Sequence, residues 1–424
     1  MRYVSTRGDS PPASLSEAIE RGLATDGGLY VPESFPSVNI AALRATEGLP
    51  ALAEALLTPF FAGDPLGEQL TDICSEAFNF PAPLRLLARD TAVLELFHGP
   101  TAAFKDFGAR FLAAALARLQ PAEAEPLTVL VATSGDTGGA VAAAFAGRPG
   151  FEVFVLYPAG MVSERQERQL TCWGGNVTAL RVRGDFDACQ RLVKEAFQDP
   201  SLSSRRRLTS ANSISLGRLL PQMVYYAAAS FEYELVRGAP AGFVIPSGNL
   251  GNATACFWAR KAGLPIREIV LATNANETLT RFLSEGDWRP GATIQTLATA
   301  MDVGNPSNME RLLQLHGGDV PTRAELRARL VTDDEIRRGI TEGVERWGQI
   351  WDPHTATAIT VRESLDAPHW IVVSTAHPAK FESIVEPLIE GTVDVPQQLA
   401  ELLDRPKQYR EIAPELSELE ARLG

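Results

Sequence analysis

The sequence is poor in cysteine, and its four cysteines give no sign of a metal site or a disulfide framework. Cys74, Cys172, Cys189 and Cys256 are far apart, none forms a Cys-x-x-Cys pair, and no histidine stands near them at metal-ligand spacing. We therefore interpret them as buried free thiols and expect no metal site.

Long apolar runs are also absent. No stretch reaches the roughly 18 apolar residues that a membrane-spanning helix requires, and the opening residues MRYVSTRGDSPP contain no apolar signal-peptide core. We therefore expect a cytoplasmic protein that does not associate with a membrane.

Positive charge is the third feature in short supply. The chain has 39 lysine and arginine residues against 52 aspartate and glutamate residues, a net charge of −13. This excess of negative charge argues against nucleic acid or an acidic membrane as the main partner. It does not exclude a small anionic ligand, because such a ligand needs only a local cluster of donors.

The residues that are present indicate a large globular protein. Hydrophobic residues make up 45% of the 424 residues, which suffices for a sizeable core and predicts about two or three domains. Residues from 41 to about 87 have a mostly helical pattern, preceded by a capping box between Ser14 and Glu17. We interpret this region as a helical N-terminal domain.

From Leu127 the pattern changes to alternating strands and helices, which favours parallel sheets. A strand followed by a glycine-rich turn and a helix occurs at 127–146 and recurs at 242–263. Two such units predict two α/β domains that face a cleft, with ligands at the carboxyl ends of the strands. The predicted strands are Leu127–Thr133, Val153–Tyr157, Val177–Val182, Gly242–Pro246, Ile266–Thr273 and Trp370–Ser374.

One lysine stands between two phenylalanines in the stretch 98–108, which reads HGPTAAFKDFG. The Gly-Pro pair predicts a turn, and Phe104, Phe107 and Phe111 then recur at helical spacing, so Lys105 is expected at a helix entrance. Apolar flanks lower the pKa of a lysine, as an amine that attacks an aldehyde requires. The alternative is a solvated surface lysine, which is the common role of a lone lysine near a helix start.

A second candidate is the glycine-rich turn PSGNLGN between a predicted strand and a predicted helix. Gly248 and Gly251 let a ligand approach the backbone, and the helix start offers unpaired N–H groups to a phosphate. The turn is neither a Walker A loop nor a GxGxxG motif. Its alternative role is tight packing of strand on helix without a ligand. The residues concerned are Ser247, Gly248, Asn249, Leu250, Gly251 and Asn252.

A third candidate is the loop formed by Ser134, Gly135, Asp136 and Thr137, which combines hydroxyl groups and glycine at a predicted helix start. It offers donors to an anionic group such as a carboxylate. The alternative is ordinary N-capping by Ser134, Asp136 or Thr137, and the two roles are compatible.

Two cationic groups complete the candidate set. Arg218 follows the segment that contains Asn212 and Ser213 and is suited to clamp a phosphate, with a structural ion pair or an exposed arginine as the alternative. Thr375 and Lys380 follow the last predicted strand, at the end where the ligands of parallel sheets bind. The alternative for Lys380 is a surface lysine beside a capped turn.

Histidine offers little further support. His98 and His354 are candidates for acid–base groups, but single histidines are more often structural hydrogen-bonding groups. No Ser/His/Asp order is legible in the sequence.

Taken in order, these motifs resemble the threonine synthase family, whose members are pyridoxal-phosphate enzymes of the tryptophan-synthase-β-like fold. The resemblance extends over nearly the whole chain and looks like the longer, N-terminally extended branch of the family. The motifs that carry it are YVSTRG, GLATDGGLYVP, HGPTAAFKDF, ATSGDTGGA, SANSISLGRL, PSGNLGN, AMDVGNPSN, DPHTATA and STAHPAKF.

The resemblance implies a fold-type-II architecture, in which two parallel-sheet α/β domains surround a cofactor cleft and a helical extension precedes them. On this basis we divide the chain into four parts. Residues 1–92 form an N-terminal domain, and residues 93–126 with 240–393 form a large domain that binds pyridoxal 5'-phosphate. Residues 127–239 form a smaller mobile domain, and residues 394–424 form a helical C-terminal tail.

The resemblance also implies roles for the candidate residues. Lys105 holds the cofactor covalently and acts as general base, the loop 247–252 holds the cofactor phosphate, and Thr375 hydrogen-bonds the pyridine nitrogen. Asp136 lies near the phenolic oxygen of the cofactor or near the substrate carboxylate, although many relatives in the wider fold have asparagine there. The residues implied to bind the substrate are Ser134, Gly135, Thr137, Asn212, Ser213, Arg218 and Lys380.

The implied reaction converts O-phospho-L-homoserine and water to L-threonine and phosphate, by γ-elimination followed by addition of water at Cβ. A close alternative is a phospho-lyase that releases 2-oxobutyrate and ammonia, because the motifs barely separate the two. A second alternative is a non-catalytic anion-binding relative, although the intact Lys105 speaks against it. The family resemblance implies a monomer.

Overall fold

Two β-sheets form the centre of the computed structural model, which describes residues 1–88, 90–121 and 124–423. Among these residues the large sheet has six strands, in the order Arg327–Leu330, Ile266–Thr273, Ala241–Pro246, Trp370–Ser374, Thr91–Glu95 and Leu84–Leu86. The small sheet has five parallel strands, in the order Arg410–Ile412, Val177–Val182, Phe151–Pro158, Leu127–Ala132 and Arg207–Ser210. The large sheet is parallel except for its edge strand Leu84–Leu86. A separate antiparallel pair joins Tyr3–Ser5 to Tyr30–Pro32.

Three inner strands of the two sheets are buried along their whole length. Ala241–Pro246, Leu127–Ala132 and Trp370–Ser374 have no exposed residue, as expected for parallel strands that are covered on both faces. The register of the large sheet aligns Val372 with Val93 on one side and with Val244 on the other. The expected architecture of two parallel-sheet α/β units is confirmed.

Each predicted strand lies in one of the two sheets, and the ends differ by at most two residues. The strands that the sequence analysis missed include Arg207–Ser210, Arg327–Leu330 and Arg410–Ile412. All three are short, begin with an arginine and stand at a sheet edge. They therefore lack the apolar run by which a buried strand is recognised.

Helices pack against both sheets and make up most of the N-terminal region. The capping box expected there is present, since the Glu17 N–H donates to Ser14 Oγ at 3.2 Å and the Ser14 N–H donates to Glu17 Oε2 at 2.8 Å. The helices are Leu15–Arg21, Ile40–Arg44, Gly48–Leu57, Leu70–Ala77, Lys105–Leu119, Asp136–Phe145, Glu164–Thr171, Phe186–Gln198, Pro200–Arg205, Leu216–Leu219, Met223–Arg237, Gly251–Lys261, Thr278–Glu285, Met309–His316, Asp319–Glu325, Asp333–Thr341, Gly343–Trp347, Pro353–Glu363, Glu382–Ile389, Gln397–Leu403 and Leu416–Leu423.

The helix Lys105–Leu119 lies at the centre of the main hydrophobic core. Its residues Phe107 and Phe111 are fully buried, and each contributes about 1.5–3 kcal/mol by leaving water. The helix packs against Leu70–Ala77 of the N-terminal region and against Asp136–Phe145, which follows a strand of the small sheet. Because the helix is fixed on several sides, the position of its first residue, Lys105, is fixed as well.

Strand pairing moves the first domain boundary that the sequence suggested. A boundary after residue 92 cuts through Thr91–Glu95, and Leu84–Leu86 before it also pairs within the large sheet. The backbone hydrogen bonds of these strands therefore assign residues from 84 onward to the large unit.

Helix packing and strand pairing also change the two later boundaries. Met223–Arg237, placed by the sequence in the smaller domain, packs against Gly251–Lys261 and against the N-terminal helix Gly48–Leu57. The tail 394–424, expected to be helical, also contains Arg410–Ile412, which pairs in parallel with Val177–Val182. The tail thus completes an edge of the small sheet as well as packing helices on its surface.

None of the described helices is both long and apolar enough to span a membrane. The described residues contain no group of three or more histidine, cysteine, aspartate or glutamate side chains placed to hold a metal ion. All four cysteines are buried and free.

Candidate active site

The turn that precedes Lys105 is anchored to the end of the strand Trp370–Ser374. The N–H of Phe104 donates to the carbonyl of Thr375 at 2.9 Å, and the N–H of His377 donates to the carbonyl of Ala102 at 3.1 Å. Ala102 has a φ of +53°, a left-handed conformation that costs about 1–2 kcal/mol for a residue other than glycine. The motifs HGPTAAFKDF and STAHPAKF therefore form one structural unit, which brings Thr375 beside Lys105.

Asp106, to which the sequence analysis gave no role, closes this turn from the helix side. Its carboxylate accepts hydrogen bonds from the N–H of Thr101 at 2.9 Å and from the Thr101 hydroxyl at 2.7 Å. A Cβ on Gly99 would meet Asp106 Oδ2 at 2.5 Å, so only glycine fits beside the carboxylate. The glycine of the Gly-Pro pair is thus explained by a close approach that the sequence does not reveal.

The amine of Lys105 is buried beside charged groups. Its Nζ lies 3.7 Å from Asp136 Oδ2, and 12% of the side chain is exposed. The pKa of Lys105 is lowered from 10.5 to about 8, chiefly because burial removes water from the ammonium. The positive charges of Lys380 and Arg218 act in the same direction, and the carboxylate of Asp136 acts against them. At neutral pH about one amine in ten is therefore uncharged and able to attack an aldehyde.

Asp136 and Lys380 form a buried ion pair next to Lys105. The Nζ of Lys380 lies 2.8 Å from Asp136 Oδ1 and also donates to the carbonyl of Thr101 at 2.8 Å. The amide of Gln166 donates to the same Asp136 oxygen at 3.1 Å. Burial alone would raise the pKa of Asp136, but the ammonium groups of Lys380 and Lys105 hold it well below its usual range. Asp136 is therefore an anion throughout the physiological pH range.

The loop 247–252 connects the strand Ala241–Pro246 to the helix Gly251–Lys261. Leu250 has a φ of +61° at the position before the helix, a left-handed conformation that is strained for a residue other than glycine. A Cβ on Gly248 would lie 2.6 Å from Met301 Cα. Asn252 Oδ1 accepts hydrogen bonds from Tyr225 and Tyr226, whereas its Nδ2 is buried and has no hydrogen-bond partner within the described part of the chain. A helix start with an unpartnered amide donor is suited to an anion.

Two residues that the sequence analysis missed brace this loop. The amide of Asn308 donates to the carbonyl of Asn249 at 3.0 Å, and Arg311 donates through Nη1 to Asn308 Oδ1 at 2.7 Å. Arg311 also donates to the carbonyls of Tyr30 at 3.1 Å and Ile214 at 2.7 Å. Burial lowers the pKa of Arg311 to about 9. The only signal for this bracing in the sequence was the motif AMDVGNPSN, which ends at Asn308.

The loop 134–137 begins the helix Asp136–Phe145, and its cap differs from the one expected. Thr133, not Ser134, Asp136 or Thr137, accepts the hydrogen bonds of the first turn, from the N–H of Gly135 at 3.0 Å and of Gly138 at 2.8 Å. The side chain of Asp136 is engaged by Lys380 instead. Ser134 and Thr137 therefore line the cavity without serving as caps.

Arg218 lies in the short helix Leu216–Leu219, which packs against the Lys105 helix. The two helices approach closely at Gly108, where an added Cβ would lie 2.7 Å from the carbonyl oxygen of Arg218. The guanidinium is buried, its Nη1 donates to the carbonyl of Ala211 at 2.7 Å, and its Nε has no hydrogen-bond partner among residues 1–88, 90–121 and 124–423. Burial lowers the pKa of Arg218 to about 10, so the group remains a cation, and it forms no ion pair with any residue that the structure describes.

These elements surround one cavity of about 340 Å³. Every predicted site residue lines it except Gly135 and Lys380. The backbone N–H of Gly135 is engaged by Thr133, and the ammonium of Lys380 is engaged by Asp136 and Thr101. Lys380 was expected to reach the substrate phosphate, but its side chain is fully buried within the protein.

The two candidate histidines have structural hydrogen bonds. His354 lines the cavity, but its Nδ1 lies 2.7 Å from Asp352 Oδ1 and its Nε2 accepts the N–H of Ala300 at 3.1 Å. Since Nε2 is the acceptor, Nδ1 carries the hydrogen, and both ring nitrogens are used. His98 lies 2.8 Å from Glu95 and is not part of the cavity wall as described.

The mouth of the cavity is lined from both units by residues that sequence reasoning did not find. Phe186, Asp187 and Gln190 come from a helix that packs against the small sheet, and Thr293 comes from the loop after Thr278–Glu285. The hydroxyl of Thr293 lies 3.4 Å from Asp187 Oδ1. None of these residues belongs to a glycine-rich motif, so local sequence pattern gave no signal for them.

The residues of the cavity fit pyridoxal phosphate. The uncharged amine of Lys105 suits its aldehyde, the loop 247–252 with the unpartnered Nδ2 of Asn252 suits its phosphate, and the hydroxyl of Thr375 suits its ring nitrogen. Without a ligand, the buried Nδ2 of Asn252 has no hydrogen-bond partner among the described residues. Leaving such a donor unpaired costs about 1–3 kcal/mol, which a bound phosphate would recover.

The site has a buried, partly uncharged lysine and a helix start suited to an anion, placed between two parallel-sheet units. This combination is that of a pyridoxal-phosphate-dependent enzyme. Residues 82–375 match the family model "Pyridoxal-phosphate dependent enzyme". Residues 2–78 match the model "Threonine synthase N terminus" and residues 355–422 match "Threonine synthase, C-terminal". The chain belongs to the threonine synthase family. The resemblance, fold type and cofactor that the motifs implied are thereby confirmed.

Individual relatives agree over the whole length of the chain. The threonine synthase of Escherichia coli (strain K12) is 39% identical over 410 residues, which cover 96% of this chain and 95% of that protein. The crystal structure of threonine synthase from Escherichia coli matches with a TM-score of 0.92 and 37% identity, covering 100% of this chain and 99% of that one. The X-ray crystal structure of PLP-bound threonine synthase from Brucella melitensis matches with a TM-score of 0.92 and 35% identity, covering 100% and 98%.

Proposed function

We propose that this chain converts O-phospho-L-homoserine and water to L-threonine and phosphate. The observation that carries the proposal is a single cavity in which the amine of Lys105 is accompanied by two groups of anion-binding donors. One group is the loop 247–252, which suits the cofactor phosphate. The other contains Arg218 with Asn212 and Ser213, which suits the phosphate of a substrate.

The first group, together with Lys105 and Thr375, accounts for the cofactor. When bound, pyridoxal phosphate supplies an electron sink for the negative charge that develops on the substrate carbons. Backbone N–H groups at the start of Gly251–Lys261 and the Nδ2 of Asn252, which is buried without a partner among the described residues, would hold its phosphate. Thr375 would offer the ring nitrogen a neutral hydroxyl, and Asp136, which lies beside Lys105, would be near the phenolic oxygen or the substrate carboxylate.

Lys105 has a second role, as the proton-transferring group. Its uncharged amine would take the proton from the substrate Cα. With a pKa of about 8 in the free protein, the amine both accepts and returns a proton near neutral pH. This ability suits a reaction in which protons leave Cα and Cβ and are later returned.

The second group of donors accounts for the substrate. Arg218 has its Nη1 fixed on Ala211 and its Nε without a partner among the described residues, so it is oriented before the phosphate arrives. The hydroxyl groups of Ser134 and Thr137 and the N–H groups at the start of Asp136–Phe145 suit the α-carboxylate. The cavity therefore provides a place for each charged end of a phosphorylated amino acid.

The small-sheet unit supplies the part of the site that closes. Asp187 meets Thr293 of the large unit across the mouth at 3.4 Å, and a movement of the small unit would open or seal this contact. Sealing excludes water until the phosphate has left. We propose further that the chain acts as a monomer, since its own residues line the cavity, and that it does so in the cytoplasm. Light scattering of the purified protein tests the oligomeric state.

The reaction is tested by a product assay with purified protein and pyridoxal phosphate. O-Phospho-L-homoserine should yield L-threonine and phosphate in equal amounts, and Lys105→Ala should yield neither. Release of 2-oxobutyrate and ammonia as the main products would make the chain a phospho-lyase. Absence of any product from cofactor-loaded protein would make it a non-catalytic relative.

A further inference from the structure

Asp136 is shared unequally between two buried lysines. The Nζ of Lys380 lies 2.8 Å from Asp136 Oδ1, whereas the Nζ of Lys105 lies 3.7 Å from Asp136 Oδ2. Lys380 is fully buried and is not among the residues that line the cavity. Its ammonium therefore acts on the site through Asp136 and not by touching a ligand.

The position of Lys380 is fixed from several sides. Its Nζ donates to the carbonyl of Thr101, in the turn before Lys105, at 2.8 Å. Its own carbonyl accepts the hydroxyl of Ser163 at 2.8 Å, and the carbonyl of Ala379 accepts Arg165 Nη1 at 2.7 Å. Burying an ammonium is costly unless it is paired and hydrogen-bonded, and Lys380 meets both conditions.

We propose that Lys380 is a positioning residue that occupies Asp136 and thereby keeps Asp136 from holding Lys105 as an ammonium ion. The inference rests on the proposed role of Lys105 as the amine that receives the cofactor. Without Lys380, Lys105 would be the only ammonium near a buried carboxylate and would form the ion pair itself. An opposite charge at that distance favours the charged form of lysine, which is the form that cannot attack an aldehyde.

The other ionisable groups near Lys105 are Arg218, His354 and Asp106, and of these Arg218 acts in the same direction as Lys380. Arg218 faces Lys105 from the helix Leu216–Leu219 and is a further cation. His354, from Pro353–Glu363, lies near Asp136 and has both ring nitrogens engaged in hydrogen bonds. Asp106, on the helix of Lys105, is bound by Thr101. The ammonium of Lys105 thus stands near two cations and one carboxylate, and that carboxylate lies closer to Lys380.

The proposal is tested on the cofactor-free protein, without any turnover. The pKa of Lys105 is measured from the pH dependence of its acylation by acetic anhydride, with the labelled peptide quantified by mass spectrometry. Lys380→Met should raise this pKa by about 1–3 pH units, and Asp136→Asn should lower it. Lys380→Arg keeps the cation and should stay near wild type. Lys407→Met is the matched control, because that lysine pairs with Glu167 at 2.9 Å away from the cavity, and it should leave the pKa unchanged.

An unchanged or lowered pKa of Lys105 in folded Lys380→Met would overturn the proposal. If that variant does not fold, the double variant Asp136→Asn/Lys380→Met, which removes both buried charges, is compared with Asp136→Asn. The pKa of Lys105 should differ little between these two, because without the carboxylate of Asp136 there is no partner for Lys380 to occupy. A pKa higher by about 1–3 pH units in the double variant would mean that Lys380 acts by direct repulsion and would refute the proposal. Failure of the proposed function is distinguished from failure of this proposal by the assay that detects it. It would change the products formed from O-phospho-L-homoserine and would leave the pH dependence of Lys105 acylation unchanged.

Discussion

The hydroxyl of Tyr226 donates to Oδ1 of Asn252 at 2.7 Å and so orients this side-chain amide, which belongs to the loop 247–252. The hydroxyl of Tyr225 lies 2.6 Å from the same oxygen. With Oδ1 surrounded by donors, the buried Nδ2 is left for a ligand, and it has no other partner among the residues described. The two tyrosines therefore determine which end of the amide an incoming phosphate meets.

Asn252→Asp should weaken the binding of pyridoxal phosphate by about tenfold or more, because it removes a donor and adds a negative charge beside the phosphate. Titration of the cofactor-free protein, followed by absorbance, gives the dissociation constant. Pyridoxal, which has no phosphate, is the matched ligand and should bind with little change. Equal weakening of both ligands would place Asn252 outside the phosphate site.

Arg311→Met should lower both the stability and the affinity for the cofactor. The substitution leaves the carbonyls of Tyr30 and Ile214 and the side chain of Asn308 without their donor, at a cost of about 1–3 kcal/mol for each group that stays unsatisfied. Urea unfolding measures the first effect, and the ratio of the affinities for pyridoxal phosphate and pyridoxal measures the second.

Arg289→Met is the control for that prediction. Arg289 is 70% exposed in its pair with Asp287, and exposed pairs of this kind contribute about 0–1 kcal/mol. A loss of stability in Arg311→Met no larger than in Arg289→Met would show that the buried bracing is dispensable.

Gly248→Ala should impair cofactor binding because the added methyl group would lie 2.6 Å from Met301 Cα and 2.8 Å from its carbonyl oxygen. Backbone atoms cannot yield as a flexible side chain does, so the loop must move, at about 1–3 kcal/mol. Thermal unfolding with and without the cofactor separates the two effects. Gly391→Ala, where the nearest atom is 3.7 Å from the added carbon, should change stability by no more than about 0.5 kcal/mol.

The rate at which the cofactor-free protein captures pyridoxal phosphate should rise with pH and level off above the pKa of Lys105. Burial lowers that pKa to about 8, so the uncharged fraction grows about tenfold from pH 6 to pH 7 and changes little beyond pH 9. Stopped-flow absorbance of the lysine-bound cofactor measures the profile. A rate that keeps rising to pH 10 would mean that Lys105 retains an ordinary pKa.

Lys105→Ala should lose the visible absorption band of the covalently bound cofactor, and borohydride should no longer fix the cofactor to the protein. The physical reason is that Lys105 is the lysine whose side chain lines the cavity, while Lys380 is held by Asp136. A band that survives the substitution would assign the cofactor to another lysine.

The sequence by itself determined the fold class, the family and many of the polar residues that line the cavity. Buried parallel strands are continuous apolar runs, and glycine-rich turns between strand and helix are local features, so both are readable without knowing what packs where. Lys105, the loop 247–252 and Arg218 were recognised in this way, and all of them line one cavity.

Only the tertiary structure decided what these groups do to one another. Lys380 looked like a ligand for the substrate phosphate, yet folding places its ammonium 2.8 Å from Asp136, which is 244 positions earlier in a chain of 424 residues. Arg311 joins Tyr30, Ile214 and Asn308, and no local pattern predicts such a junction. Charge pairing, desolvation and the resulting pKa of Lys105 depend on distances between segments remote in sequence. Those distances are set by packing of the whole chain, and residue order along the sequence does not encode them locally.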